Sequence, residues 1–156
     1  MTPSERAPLI AKYKAGYDEV KNALAGITAA EWDHRPGPGK WSARETVHHL
    51  GDSEMMAAMR VRLLLAEDRP KIQAYDQDEF ARRLHYDRPP EASLEAFRIA
   101  RRSTAELLDR LTEAEWAREG THSERGHYSV EIWLTSYAKH AFTHADQIRR
   151  ARAARS

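Results

Sequence analysis

Leu9, Ile10, Tyr13, Tyr17, Val20 and Leu24 recur at steps of three and four residues, which predicts a first helix from about Glu5 to Ala25 with Pro8 in or just before its first turn. A short turn capped by Thr28 follows, and the Pro/Gly stretch "RPGPGK" then ends any helical continuation. Ser42 and Glu45 have capping-box spacing, so a second helix should open there and run to Leu65 or Glu67. Apolar residues lie almost all round it: Val47, Leu50, Met55, Met56, Met59, Val61, Leu63 and Leu64. No single face of this segment is marked as inward.

The connection from Asp68 to Pro90 has room for one short helix, Gln77 to Leu84, and is long enough to cross from one end of a bundle to the other. A third helix is expected from about Ala92 to Leu111, with Leu94, Phe97 and Leu108 inward and Arg98, Arg101 and Arg102 outward. Thr112 caps a second short turn, "TEAEW", which echoes "TAAEW" at Thr28 to Trp32. A fourth helix starts after Ser129 and runs to about Ala153. No two alternating runs joined by a tight turn appear, so the expected fold class is all-α, a four-helix bundle. The whole chain, 1–156, is read as one domain, a length that suits a single core.

On the fourth helix, at about 100° per residue, Val130, Trp133, Leu134, Tyr137, Ala141 and Ile148 share one arc. His140 falls at its edge and His144 within it, while Glu131, Lys139, Asp146, Arg149 and Arg150 lie opposite. An i, i+4 pair of imidazoles aimed at a core is the spacing by which one helix holds a metal ion, although for such a pair taken alone packing is the better reading. Helix two changes the balance, because it carries His48 and His49, and a catalytic metal wants about three protein ligands and one open position. Periodicity does not choose between these two neighbours.

His34, His85, His122 and His127 fall in loops and are read as exposed or locally bonded. The Glu-x-x-His spacing of a di-iron bundle occurs at Glu45/His48, Glu31/His34 and Glu124/His127, but only the first lies in a long helix, so it is taken as coincidence. Asp52 and Glu54 are the nearest carboxylates to the helix-two histidines, either solvated or paired with Arg60 or Arg62. Tyr137 is placed to bind a substrate or to pack. None of these is assigned a catalytic role.

Composition narrows the chemistry further. With no cysteine, a disulfide, a thiolate metal site and a cysteine nucleophile are all excluded, so any metal must be held by His, Asp or Glu. Lys and Arg number 25 against 24 Asp and Glu, a net charge of +1 that gives no reason to expect a nucleic acid, and the basic "RRARAARS" end is read as a complement to a helix dipole. The longest unbroken apolar run is Leu63 to Ala66, far short of a membrane span, and a cytoplasmic location is expected.

The stretches "KWSARETVHHLGDSE" and "KHAFTHADQIRR", with "PKIQAYDQDEF" and "THSERGHYSVEIWL" between them, resemble the DinB/YfiT-like family over most of the chain. The resemblance implies a four-helix bundle with a long crossover between helices two and three. It also implies a divalent metal, zinc or nickel first and iron or manganese next, held by three histidines. The family's helix-two ligand precedes a Leu, which here selects His49 before Leu50, and its helix-four ligands match His140 and His144; His48 takes a position that is not a ligand. Such proteins include metal-dependent hydrolases and transferases that use a low-molecular-weight thiol, while many have no established reaction. A hydrolase with a small-molecule substrate is therefore expected, with thiol S-transfer or a non-catalytic binding bundle as alternatives, and a homodimer through a helix face is compatible with all three.

Overall fold

The computed structural model describes residues 1–153, so Ala154, Arg155 and Ser156 at the end of the basic tail lie outside the described residues. Four long helices appear: α1 (Pro3–Leu24), α2 (Ala43–Ala66), α4 (Glu91–Leu108) and α6 (Val130–Ala153). Two short ones, α3 (Gln77–Arg83) and α5 (Glu113–Trp116), lie in the connections. Capping boxes explain the starts of α1, α2 and α5. Thr2 with Glu5, Ser42 with Glu45 and Thr112 with Glu115 each form a reciprocal capping box that satisfies backbone N–H groups left free by the first turn. The Thr2 cap starts α1 earlier than Glu5, so Pro8 sits in the second turn, and α4 ends at Leu108 rather than Leu111.

The way the helices pair defines the topology. His48 meets Ser93 near the starts of α2 and α4, and Arg62 meets Ser103 and Thr104 near their ends, so these two helices run parallel. Arg6 pairs with Glu131 at one end of α1 and α6, and Arg149 with Glu19 towards the other, so this pair is parallel too. Between the pairs the direction reverses, as the Trp133 indole donating to the Ala57 carbonyl and the approach of His49 to His144 show for α6 against α2. Parallel neighbours need a connection that returns the full length of the helix, which is what residues 67–90 supply between α2 and α4. Gly51 allows these two to pack closely, since a Cβ there would stand 2.7 Å from the Ser93 carbonyl oxygen.

The core divides in two along the helices. One cluster contains Tyr13, Ala57, Val61, Leu64, Trp133, Leu134 and Tyr137, the other Val20, Val47, Leu50, Phe97, Ala141, Ala145 and Ile148. The all-α, four-helix-bundle expectation holds, with one small sheet in the connections that the sequence did not signal. Strands β1 (Lys71–Ile72), β2 (Glu119–His122) and β3 (Gly126–Ser129) pair in the order β1-β2-β3, parallel then antiparallel, with Ile72 beside His122 and His122 beside Gly126. Gly126 closes the β2–β3 turn at φ 71°, a conformation that needs no Cβ. The sheet ties the α2–α4 crossover to the α4–α6 connection.

Arg101 also departs from expectation. Its side chain is buried rather than outward, donating to Glu54 Oε2 at 3.0 Å and to the carbonyls of Tyr13 and Tyr137, while the Tyr13 hydroxyl bonds the other Glu54 oxygen. Arg98 and Arg102 do face outward, but they pair with Glu95 and Glu106 on their own helix. The expected arginine patch on this helix is therefore largely neutralised.

Candidate metal centre

His49, His140 and His144 come together where α2 crosses α6. One ring nitrogen of each can be chosen so that all three lie within 4.8 Å of one another. The His140 and His144 rings are 4.4 Å apart, and the His49 ring stands 5.4 Å from the first and 4.6 Å from the second. Helical spacing explains the α6 pair, since residues four apart stack on one face. His49 is set by α2, with the Trp41 ring packed 4.8 Å away.

Hydrogen bonding separates the two adjacent histidines that periodicity left unresolved. His48 uses both ring nitrogens elsewhere, Nδ1 with the Ser93 hydroxyl at 2.8 Å and Nε2 with the Arg88 carbonyl at 2.9 Å. His49 is 2 % exposed, yet neither ring nitrogen has a partner. A buried polar group left unbonded costs about 1–3 kcal/mol, so an imidazole in this condition is suited to a partner other than the protein itself. The Nδ1–H of His144 donates to Gln147 Oε1 at 2.8 Å, which leaves its Nε2 lone pair free, and that atom lies 3.1 Å from His140 Nε2. Burial keeps all three neutral: it pulls His49 down to about 3, with His144 adding repulsion, and lowers His140 and His144 in the same direction. Neutral imidazoles with converging lone pairs are the donor set of a divalent metal, and these residues fit one.

A cavity of about 410 Å³ opens beside the cluster, lined by His49, Ser53, Arg60, Tyr137 and His140 on α2 and α6 and by Tyr75, His122 and Tyr128 from the connections. His122 is locally bonded, its Nδ1 accepting the Glu124 N–H, but buried rather than exposed, because β2 carries it inward against Tyr128. His85 and His127 are exposed and His34 half-buried, and none belongs to the cluster. Asp52 and Glu54 pair with neither Arg60 nor Arg62. Asp52 accepts from the Tyr86 hydroxyl at 2.7 Å, and Glu54 is committed to Tyr13 and Arg101. Sequence reasoning missed Arg60 as a site residue, yet a signal was present: it lies eleven residues after His49, which returns to within about 20° of the same helix face.

A four-helix bundle whose facing helices direct three imidazoles at one point defines a class, the helical bundles with a candidate histidine metal centre. Within that class the chain belongs to the DinB superfamily, whose family profile matches residues 12–148. A relative from Oceanobacillus iheyensis, provisionally named a metal-dependent hydrolase, is 31 % identical over 83 % of this chain and 75 % of its own length. Another from Geobacillus thermodenitrificans with the same provisional name is 30 % identical over 79 % of this chain and 72 % of its own. Among solved structures, YfiT from Bacillus subtilis, described as "a probable metal-dependent hydrolase with an unusual four-helix bundle topology", matches with a TM-score of 0.88 at 25 % identity, covering 95 % of this chain and 86 % of that one. A mycothiol-dependent maleylpyruvate isomerase shares the fold at a TM-score of 0.74 and 14 % identity, and the chain spans 61 % of its length.

Proposed function

We propose that this protein is a metal-dependent hydrolase of small molecules, with His49, His140 and His144 as the metal ligands. The observation that carries this reading is His49, fully buried with two unbonded ring nitrogens directly beside two more neutral imidazoles. The provisional names of its relatives point the same way. A divalent ion held by three imidazoles supplies Lewis acidity and acidifies water at a remaining open position.

The residues around that position bind and orient. Ser53 Oγ lies 3.5 Å from His140 Nε2, at the cavity wall. The Tyr137 hydroxyl accepts from Arg60 at 3.2 Å, so its own proton is available to a substrate oxygen. His122 Nδ1 is an acceptor in its bond with the Glu124 amide, which leaves Nε2–H as a second donor. Asp52 and Glu54, being committed to tyrosines and Arg101, serve structure rather than proton transfer.

Elemental analysis of purified protein beside His49→Ala and His140→Ala variants tests the site. About one equivalent of zinc or nickel in the wild type, lost in both variants, is expected; a wild type that neither holds nor takes up a divalent metal refutes the reading. Thiol S-transfer is the second reading, favoured by the thiol dependence of the isomerase fold neighbour. Since the chain has no cysteine, the thiol would enter as a cosubstrate, and loaded protein that consumes an electrophile only when thiol is added would select it. Among the described residues no helix is long and apolar enough to cross a membrane, and a cytoplasmic location is part of this proposal.

A further inference from the structure

Among the described residues three arginines are buried, and they are not treated alike. Arg6 pairs with Glu113 and Glu131, and Arg101 with Glu54. Arg60, 9 % exposed, has only neutral partners: the Tyr137 hydroxyl at 3.2 Å and the Gln73 carbonyl at 2.9 Å. Its Nε is buried with no partner, and no carboxylate among the described residues pairs with it. A buried cation without a counter-charge is costly unless a ligand supplies one.

The position of this charge is also informative. Arg60 lines the same cavity as His49 and His140, and its guanidinium lies 5.5 Å from the centre of the Tyr75 ring, which faces it from the crossover. The Tyr137 to which it donates is one turn before His140, with ring centres 5.6 Å apart. Besides Arg60, the cavity is lined by the exposed Arg125 and by two carboxylates, Asp76, whose Oδ1 caps α3, and the exposed Glu124. With two arginines against two carboxylates the lining has no surplus positive charge, which suits a singly charged carboxylate better than a doubly charged phosphate.

We infer that Arg60 and Tyr137 form a carboxylate-binding subsite, so that the protein acts on small carboxylic acids whose reacting group lies towards the three histidines. This rests on the metal-site reading for its reaction but not for its anion binding. A guanidinium N–H and a phenolic O–H together receive one carboxylate with charge-assisted bonds. Arg60 is thus a specificity residue that sets the substrate's orientation.

Calorimetric titration with succinate, succinamide and inorganic phosphate tests the subsite, using wild type with and without one equivalent of zinc, Arg60→Gln and Arg60→Lys. Succinate is expected to bind zinc-free and zinc-loaded wild type, to bind Arg60→Gln about tenfold or more weakly, as expected for loss of a charge-assisted bond, and to regain part of that in Arg60→Lys. Equal affinity for succinate and succinamide in zinc-free wild type overturns the subsite without relying on any variant that might misfold, as does undetectable succinate binding or tighter binding of phosphate. Zinc uptake is read in the same samples. Succinate binding without zinc uptake would sink the metal reading and leave the subsite standing, whereas zinc uptake with no Arg60-dependent succinate binding would do the reverse.

Discussion

His49 shows how one residue couples stability to its surroundings. Burial holds its folded-state pKa at about 3, below the ordinary 6.5, so between these values the unfolded chain binds a proton that the native state refuses. The stability is fully present above about pH 6.5 and is lost progressively as acidity increases, at up to roughly 1.4 kcal/mol per pH unit for each such histidine. His140 and His144 are shifted in the same direction and add to the slope. Urea midpoints of metal-free protein at pH 7.5 and 5.5 should therefore differ clearly, and less so in His49→Ala; coincident midpoints would contradict the burial assigned to these rings. The α6 pair was legible in the sequence because helical spacing alone stacks His140 on His144. The choice between His48 and His49 was not, because it depends on Ser93 and Arg88, more than forty and about forty residues away, which satisfy one of them and leave the other. Arg101 was misplaced, and Arg60 missed, for a related reason: a charged residue is usually solvent-exposed, and only the folded structure shows the partners that let one be buried.

At the scale of elements, the Glu54–Arg101 pair joins three helices and touches a fourth: Glu54 is on α2, Arg101 on α4, Tyr13 on α1, and Tyr137 on α6 supplies a carbonyl. Burial pushes Glu54 upward while Arg101 and Tyr13 pull it back. Glu54→Gln leaves the guanidinium without its counter-charge and should cost about 3–5 kcal/mol, whereas the double change Glu54→Leu with Arg101→Met should restore much of it. Urea denaturation of the three proteins at pH 7 measures both, and a single variant as stable as wild type would show that the pair is dispensable. The long helices were readable from their period and caps to within a few residues. The sheet was not, because strands of two and four residues carry no period, and β2, "EGTH", contains a glycine and three charged or polar residues that local preference would leave in a loop. Its existence depends on the crossover arriving beside it, a contact between segments about fifty residues apart.

At the scale of the molecule, a metal bound by His49 and by the α6 pair would clamp two helices of antiparallel direction. Zinc at about a hundred times its dissociation constant should add about 2.7 kcal/mol, which for a chain of this size raises the melting temperature by roughly 5–10 °C. Differential scanning calorimetry should show one transition that shifts upward as a whole, and no shift in His144→Ala; an unshifted wild type would mean that the histidines only pack. The same cluster also has an order in time. The twenty-four residues of α6, Val130–Ala153, are made after the other described elements and carry two of the three imidazoles. A nascent chain therefore displays only one of the three converging imidazoles, His49, until α6 has emerged and docked alongside α1, so ion capture at this cluster waits for that helix.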